Sequence, residues 1–228
     1  MATSLVNRTW IIGGVAAVLA VALGIWGYGA YRTHELRKTV SALLVESGGR
    51  LRASLEIETG PGPIDRKKAA AQCEEFAVAT EKSMAQLKRV DASRDVFLAD
   101  DADGLLLSTR EILRRRATSH RFYLLHDDSL AGLMDHMRAD NRTATWVKQA
   151  VRAKERAERD FRDYQLAVAA YATLLASFPT TQKKLASRVD PAALIDEGLI
   201  ARARERALES ARKSGEEMEA ARKLLAPR

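Results

Sequence analysis

The sequence is poor in cysteine and proline, and it has no runs of alternating β-branched or aromatic residues. One cysteine among 228 residues excludes an intramolecular disulfide, and Cys73 falls on the apolar side of a predicted helix, so we expect it in the core. Five prolines leave long stretches uninterrupted, and the prevalence of Ala, Leu, Arg, Glu and Lys favours helices. The missing alternation argues against a sheet. We therefore predict an all-α protein.

The sequence also lacks the motifs that carry chemistry. It has no G-x-S-x-G turn for a nucleophile, and Cys73 has no candidate base. Its four histidines include no i, i+4 pair and adjoin no cysteine motif, which argues against a metal site. Pro61 and Pro63 remove amide donors from the one glycine-rich loop, which therefore predicts a linker and not a phosphate site. We expect a non-enzymatic protein with no catalytic residue, metal or cofactor; an enzyme whose site assembles from scattered polar residues is the alternative.

Residues 10–31 form a stretch without charge, WIIGGVAAVLAVALGIWGYGAY. As a helix it would be ~33 Å long, enough for the ~30 Å hydrocarbon core of a bilayer. Aromatic residues stand at both of its ends, as in the interfacial belt of a retained span: Trp10, Trp26, Tyr28 and Tyr31. The run is longer than the ~7–15 apolar residues of a cleaved signal peptide. We predict a short tail over 1–9 and a single transmembrane helix over 10–31 that is retained as a signal anchor.

Small residues recur along this predicted span at the spacing that lets two membrane helices approach closely. The packing candidates are Gly13, Ala16, Ala17, Ala20 and Gly24. Two interpretations stay open: a surface for self-association, and the ordinary composition of a single-pass helix.

The compartment is predicted from composition and charge. A chain that is rich in Ala and Arg and poor in Cys is typical of a bacterial inner-membrane protein. Arg32, Arg37 and Lys38 outnumber Arg8, and counting them alone would keep the C-terminal side in the cytoplasm. Signal anchors this close to the start usually export the downstream domain, and long domains translocate largely regardless of charge. We expect the C-terminal domain in the periplasm, with the direction of insertion open.

The remaining charge is moderate and mixed. The formal net charge is +7, and acidic and basic residues are interleaved, which is typical of a solvated helical surface. Anionic lipid headgroups are a further candidate partner, because this domain follows a membrane segment. The chain has no recognisable nucleic-acid-binding module, so we do not expect a nucleic-acid partner.

Downstream of the span, apolar periodicity and turn signals divide the chain. We predict a helical extension of the anchor, a Pro/Gly linker, a helical bundle, a connector and a C-terminal helix, at 32–57, 58–64, 65–178, 179–190 and 191–228. Gly48-Gly49 is a candidate bend and Asp65 a candidate N-cap. A turn is expected at 91–94 and a helix over 96–125. Further predicted boundaries are a helix start at 126–129, a helix end at Pro179 and another start at Asp190-Pro191.

A heptad runs through the second half of the predicted bundle and indicates a packed helix partner. Its seam residues are all apolar or aromatic: Ala157, Phe161, Tyr164, Val168, Tyr171, Leu175 and Phe178. Residues 164–182 carry no charge, so the alternative is a second membrane span there. The protein would then be a bacterial sensor or signalling input module, with a four-helix domain between two membrane spans.

The densest basic patch comprises Arg110, Arg114, Arg115, Arg116 and Arg121. It is either a solvated face that pairs with the acidic stretch 100–103 or a docking site for an anionic lipid or an acidic partner. Taken together, the anchor and the long patterned helices predict a membrane-anchored scaffold, adaptor or accessory subunit of an envelope complex. Its expected partners are the lipid bilayer and either other proteins or a second copy, bound through its helices.

Overall fold

In the computed structural model, the backbone is described over 3–93, 95–138 and 143–225, and side chains at Val21 and over 26–93, 95–138 and 143–223. This part of the chain is all-α. Its elements are α1 (Thr3–Thr59), α2 (Arg66–Leu87), α3 (Val96–Arg138), α4 (Ala144–Lys183), a short 3₁₀ turn (Pro191–Ala193) and α5 (Glu197–Leu225).

Successive helices run antiparallel, in an up-down-up-down-up order. Contacts between α1 and α2 pair early residues of one with late residues of the other: Ser54 with Cys73, and Arg32 with Asp91 just beyond α2. The same holds between α3 and α4, where His136 stacks on Trp146. The end of the bundle that holds Arg32 and the α2–α3 loop is called the proximal end below. The opposite end is built from α3, α4 and α5 alone, since α1 ends at Thr59.

The core lies along the axis of the bundle, where every helix contributes apolar residues. α1 contributes six buried residues at helical spacing: Leu36, Val40, Leu43, Leu44, Leu51 and Leu55. Residues 32–57, predicted as an extension of the anchor, are therefore part of a core helix of the bundle. The predicted continuation of the helix past Gly48-Gly49 is confirmed, because α1 runs through both residues. Gly48 allows close packing: a Cβ there would lie 2.7 Å from the carbonyl oxygen of Ala193.

Several predicted helix signals are confirmed. Asp65 caps α2, and its carboxylate accepts a hydrogen bond from the backbone N–H of Lys68 at 3.0 Å. The chain turns at 88–93, and α3 begins at Val96. Cys73 is buried in the core, as expected.

Other predicted boundaries are wrong because buried contacts override local signals. The polar residues 126–129 begin no helix: α3 continues to Arg138, and Ser129 donates to the carbonyl oxygen of His126 within it. α4 continues through Pro179 to Lys183, since the amide of Gln182 exchanges hydrogen bonds with the backbone of Ile195. Asp190 caps only the 3₁₀ turn, so the last helix begins at Glu197 and not at 191.

The second membrane span at 164–182 is also wrong. These residues belong to α4, whose seam is covered by the bundle while Leu166 on the opposite face is exposed. Among the residues whose side chains are described, no helix contains an apolar window long enough to cross a membrane. Of the predicted anchor at 10–31, only Val21 and residues 26–31 belong to that set, and the small-residue candidates and Trp10 lie outside it.

Candidate functional site

The seam of α4 lies at the centre of the bundle. All seven residues predicted for it are buried: Ala157, Phe161, Tyr164, Val168, Tyr171, Leu175 and Phe178. Tyr164 meets Tyr123 of α3 edge to face, with ring centroids 5.4 Å apart. On the α5 side, Gly215 leaves space for Phe161, whose ring would lie 3.2 Å from a Cβ at that position. A surface groove of about 770 Å³ follows this contact between α4 and α5.

A buried ion pair joins the end of α1 to the centre of α3. Arg116 of α3 pairs with Glu58, in the last turn of α1, and each side chain is only 2% exposed. The guanidinium also donates from Nη1 to Ser119 Oγ at 3.0 Å and lies 4.9 Å from the centroid of the Tyr171 ring. Charged groups this deeply buried are tolerated only when they are paired, so Glu58 and Arg116 depend on each other.

A second set of polar contacts lies one turn further along α3. Arg66 of α2 donates from Nη2 to Ser210 Oγ at 2.9 Å, and Tyr164 donates to the same oxygen at 3.0 Å. Nη1 of Arg66 lies 3.3 Å from Nδ1 of His120, and its guanidinium lies 4.4 Å from the centroid of the Tyr123 ring. Glu58, Arg116 and Ser119 form a polar layer with Arg66, His120 and Ser210, and Tyr164 of α4 donates a hydrogen bond into it.

His120 is held in its neutral form within this layer. Burial, followed by the positive charges of Arg116 and Arg66, lowers the pKa of His120 to about 2. Because a guanidinium only donates, Nδ1 of His120 accepts from Arg66, and the ring proton therefore lies on Nε2. A histidine that stays neutral throughout the physiological range cannot exchange protons as a general acid or base there. The chemistry of the layer is that of a structural network.

Two aromatic neighbours of the layer carry polar atoms without a hydrogen-bond partner among the described residues. Neither ring nitrogen of His126 has such a partner. The centroid of the His126 ring lies 5.0 Å from that of Phe161 and 6.2 Å from that of Tyr164. Burial lowers the pKa of His126, against the opposing effect of Asp127 and Asp160. The hydroxyl of Tyr171 is the other case, and burial raises its pKa to about 12.

The predicted basic patch is divided by the structure. Arg116 does not belong to it, because this side chain points into the core. Arg110 and Arg114 pair with Glu81 of α2, at 3.5 and 2.6 Å. The remaining two arginines are also paired: Arg115 with Glu111, and Arg121 with Glu74. The acidic partners therefore come from α2 and α3 itself, and the expected pairing with 100–103 is wrong.

At the proximal end, three aromatic residues of the predicted interfacial belt are exposed on α1: Trp26, Tyr28 and Tyr31. Arg32, the next residue, contacts both α1 and the α2–α3 loop. Its Nε donates to the Tyr28 hydroxyl at 3.0 Å, and its Nη1 pairs with Asp91 at 2.9 Å. The α2–α3 loop is thereby tied to α1 directly beyond the charge-free stretch.

The other candidate chemical groups are not brought together. Cys73 lies 3.2 Å from Ser54 Oγ, and burial raises the pKa of its thiol. His34 is exposed at the proximal end, and His136 stacks on Trp146 near the other end. In the ranges that the structure describes, no three His, Cys, Asp or Glu side chains are grouped as metal ligands would be.

The polar layer was missed at the sequence level. A signal for Arg116 existed, since it stands three and four residues from the apolar positions Leu113 and Ile112, on the face that a helix buries. The run of neighbouring arginines concealed this signal, because a continuous charge run is ordinarily solvent-facing. No signal for Ser210 or Arg66 was present, since both meet partners far away in the chain.

No family model matches the sequence, and neither a curated protein nor a solved structure with significant similarity to it was found.

Proposed function

We propose that the protein is a membrane-anchored helical-bundle scaffold or accessory subunit of a bacterial inner-membrane complex, without chemistry of its own. One observation carries the proposal: the charge-free stretch 10–31 and the buried extension up to Thr59 belong to one 57-residue helix. A membrane segment that is also a core helix holds its domain at a fixed height and angle. This property suits a protein that positions partners.

The connection between the two parts supports this role. α1 contains neither a proline nor a linker between Tyr31 and Leu36, its first buried leucine. From Tyr31 to Thr59 it rises by about 42 Å at ~1.5 Å per residue. The Glu58–Arg116 ion pair then fixes the far end of α1 in the bundle. A flexible tether, by contrast, would leave the domain free to rotate.

The non-enzymatic part of the proposal is supported by how the polar core is used. Arg66 contacts His120, and Arg116 binds Glu58 and Ser119. The exposed arginines of the predicted basic patch pair with acidic residues of α2 and of α3 itself. Partners would bind through exposed helix surfaces, and the small-residue stripe of 13–24 offers a route to self-association. We place the bundle in the periplasm.

Anchoring is tested by membrane fractionation and alkaline carbonate extraction of the full chain. Leu19→Arg places a charge inside the proposed span and should release a large part of the protein from the membrane pellet, because an arginine at the centre of a span costs ~2.5–3.5 kcal/mol. Leu166→Arg, at an exposed site of α4, is the matched control and should stay in the pellet. Release of the unaltered chain by carbonate would contradict the anchor.

Orientation is tested by labelling single cysteines in whole cells with a membrane-impermeant maleimide. In a Cys73→Ala background, Glu35→Cys and Glu216→Cys should both react before lysis if the bundle lies in the periplasm. Reaction of both only after lysis would place it in the cytoplasm.

The scaffold role is tested by extraction in a mild detergent followed by size-exclusion chromatography and crosslinking. The protein should elute in an assembly larger than its own monomer in a detergent micelle. Elution as a lone monomer, without crosslinked partners or copies, would contradict the scaffold role while leaving the anchor intact.

A further inference from the structure

An apolar and basic lip lies at the proximal end, beside the point where α1 leaves the charge-free stretch. It is formed by Val96 and Phe97, the first two residues of α3, and by Lys88 and Arg89 of the preceding loop. Phe97 is 78% exposed, more than any other large apolar side chain in the described part of the chain. Exposure of this degree has a cost in water unless something covers the ring.

The position of the lip is fixed by two ion pairs. Asp91 pairs with Arg32, one residue beyond the aromatic belt, so the loop is held at that level of α1. Asp95 pairs with Arg188 at 2.8 Å and accepts a hydrogen bond from the backbone N–H of Leu98, which fixes the start of α3. Val96 and Phe97 therefore stand at a defined height at the proximal end, directly after the loop that contacts Arg32.

The direction of the side chains follows from helix geometry. Cα–Cβ bonds tilt toward the N-terminus of a helix, and the N-terminus of α3 is at the proximal end. Phe97 in the first turn accordingly leans toward the proximal end, away from the body of the bundle.

Among the described residues of the α2–α3 loop, the charges left after pairing are positive, whereas exposed Asp100 lies one turn beyond Phe97. Both carboxylates of the loop, Asp91 and Asp95, face arginines. Lys88 and Arg89 are exposed and form no ion pair with any described residue. An exposed apolar pair flanked by unneutralised cations at the end of a membrane helix matches the interface of an anionic bilayer, where aromatic rings enter the headgroup region and lysine or arginine meets phosphate.

We propose that this lip is a second membrane contact: Val96 and Phe97 insert at the lipid interface, and Lys88 and Arg89 bind anionic headgroups. The inference rests on the proposed anchor. The bundle would then touch the membrane at two places, at α1 and at the lip. Two contacts restrain tilting of the bundle about the anchor, whereas a single membrane-crossing helix does not.

The test measures depth with the full chain in lipid vesicles. In a Cys73→Ala background, an environment-sensitive fluorophore is attached to Phe97→Cys, with Tyr28→Cys as the anchor reference and Val151→Cys, an exposed apolar site of α4, as the control. Vesicles contain phosphatidylcholine with and without phosphatidylglycerol, and brominated lipids serve as quenchers. Should Cys73→Ala not fold, the native background serves, because buried Cys73 is protected from the label.

We expect quenching at position 97 within about twofold of that at position 28, and none at position 151. Phosphatidylglycerol should increase quenching at 97, and Lys88→Glu with Arg89→Glu should abolish that increase while leaving position 28 unchanged. Quenching at 28 but not at 97 would overturn the lip and leave the anchor standing. No quenching at 28 would overturn the anchor itself. The label at position 97 could instead report an apolar environment without being quenched by brominated lipid. If that signal grew with protein concentration, it would overturn the lipid contact and show that a second copy covers the lip.

Discussion

Arg116 of α3 and Glu58 of α1 form an ion pair in the interior of the bundle, each with 2% of its side chain exposed. The pair connects the last turn of α1 to the middle of α3 and lies beside the Tyr171 ring. Since two buried charges must meet to be tolerated, a slip of α1 along α3 by one turn would separate them. The pair therefore specifies the register of α1 within the bundle.

Breaking this pair from one side should destabilise the protein strongly. We expect Arg116→Met or Glu58→Gln to lower the free energy of unfolding by ~3–5 kcal/mol, because the remaining group is left buried without its partner. Urea denaturation of the full chain in detergent, followed by circular dichroism, measures the change. Glu58→Leu combined with Arg116→Met should recover most of the loss, since an apolar pair needs no counter-charge.

The exposed pair Arg115–Glu111 is the matched control, one residue away on the same helix. Arg115→Met should change the free energy of unfolding by less than ~1 kcal/mol, as is usual for surface pairs. If Arg116→Met were as mild as Arg115→Met, the interior pair would not specify register.

The contrast between these neighbouring arginines shows what sequence can and cannot give. Composition and periodicity were sufficient for the all-α fold, for the seven seam residues of α4 and for the Asp65 cap, since each depends on residues close in the chain. The identity of the buried arginine depends on Glu58, 58 residues earlier. In a run of three arginines, the spacing from Ile112 and Leu113 favours Arg116 as the inward one, and the ion pair with Glu58 makes its burial tolerable.

The pH dependence of stability should carry the signature of His120. Its pKa in the folded state is depressed to about 2 from 6.5, so below pH 6.5 the unfolded chain binds a proton that the folded chain does not. Stability is therefore full above pH 6.5 and falls as the pH drops, by ~1.4 kcal/mol per pH unit for one such group, or about 2 kcal/mol between pH 6.5 and 5. His126, whose pKa is also lowered, contributes with the same sign.

His120→Asn removes this titration while its side-chain oxygen can still accept from Arg66. The free energy of unfolding, obtained from urea denaturation between pH 5 and 7.5, should then depend on pH less steeply than in the unaltered chain. The difference should correspond to the uptake of up to one proton. An unchanged slope in His120→Asn would mean that His120 is protonated or exposed in solution.

The neighbouring glycines of α1 should respond to alanine in opposite ways. A Cβ at Gly48 would lie 2.7 Å from the carbonyl oxygen of Ala193, whereas a Cβ at Gly49 meets nothing within 4 Å. Gly48→Ala should therefore cost ~1–3 kcal/mol by overpacking against the 3₁₀ turn. Gly49→Ala should stabilise by up to ~1 kcal/mol through helix propensity. Thermal unfolding monitored by circular dichroism compares the two variants, and a gain in both would show that the turn does not pack against α1 in solution.

These glycines, like Pro179, also explain why helix ends were the least predictable feature. Local chemistry marks Gly48-Gly49 as a candidate bend and Pro179 as a helix end, and α1 and α4 continue as helices through both sites. At Gly48 the cost of a glycine is offset by the close approach of Ala193. Beyond Pro179, the two hydrogen bonds between Gln182 and Ile195 hold the last turn. Such compensation comes from residues that are adjacent only after folding.

The reactivity of Cys73 should report the opening of the bundle. The thiol is buried, burial raises its pKa, and Ser54 Oγ lies 3.2 Å away, so reaction with a disulfide reagent requires a structural opening. We expect Cys73 to react at least about a thousandfold more slowly than an exposed cysteine at Lys184→Cys in a Cys73→Ala background, given a stability of ~5 kcal/mol or more.

The same assay connects the thiol to the interior ion pair. If Cys73 is exposed only by opening of the whole bundle, its rate follows the free energy of unfolding, tenfold for each ~1.4 kcal/mol. Arg116→Met should then accelerate the reaction by about a hundredfold or more, while Arg115→Met changes it by less than about fivefold. Rapid labelling of Cys73 in the unaltered chain, or equal rates in both variants, would show that α1 and α2 separate locally without breaking the Arg116–Glu58 pair. In that case the anchor helix would be joined to the bundle at its far end alone, and the rigid link between span and domain would fail.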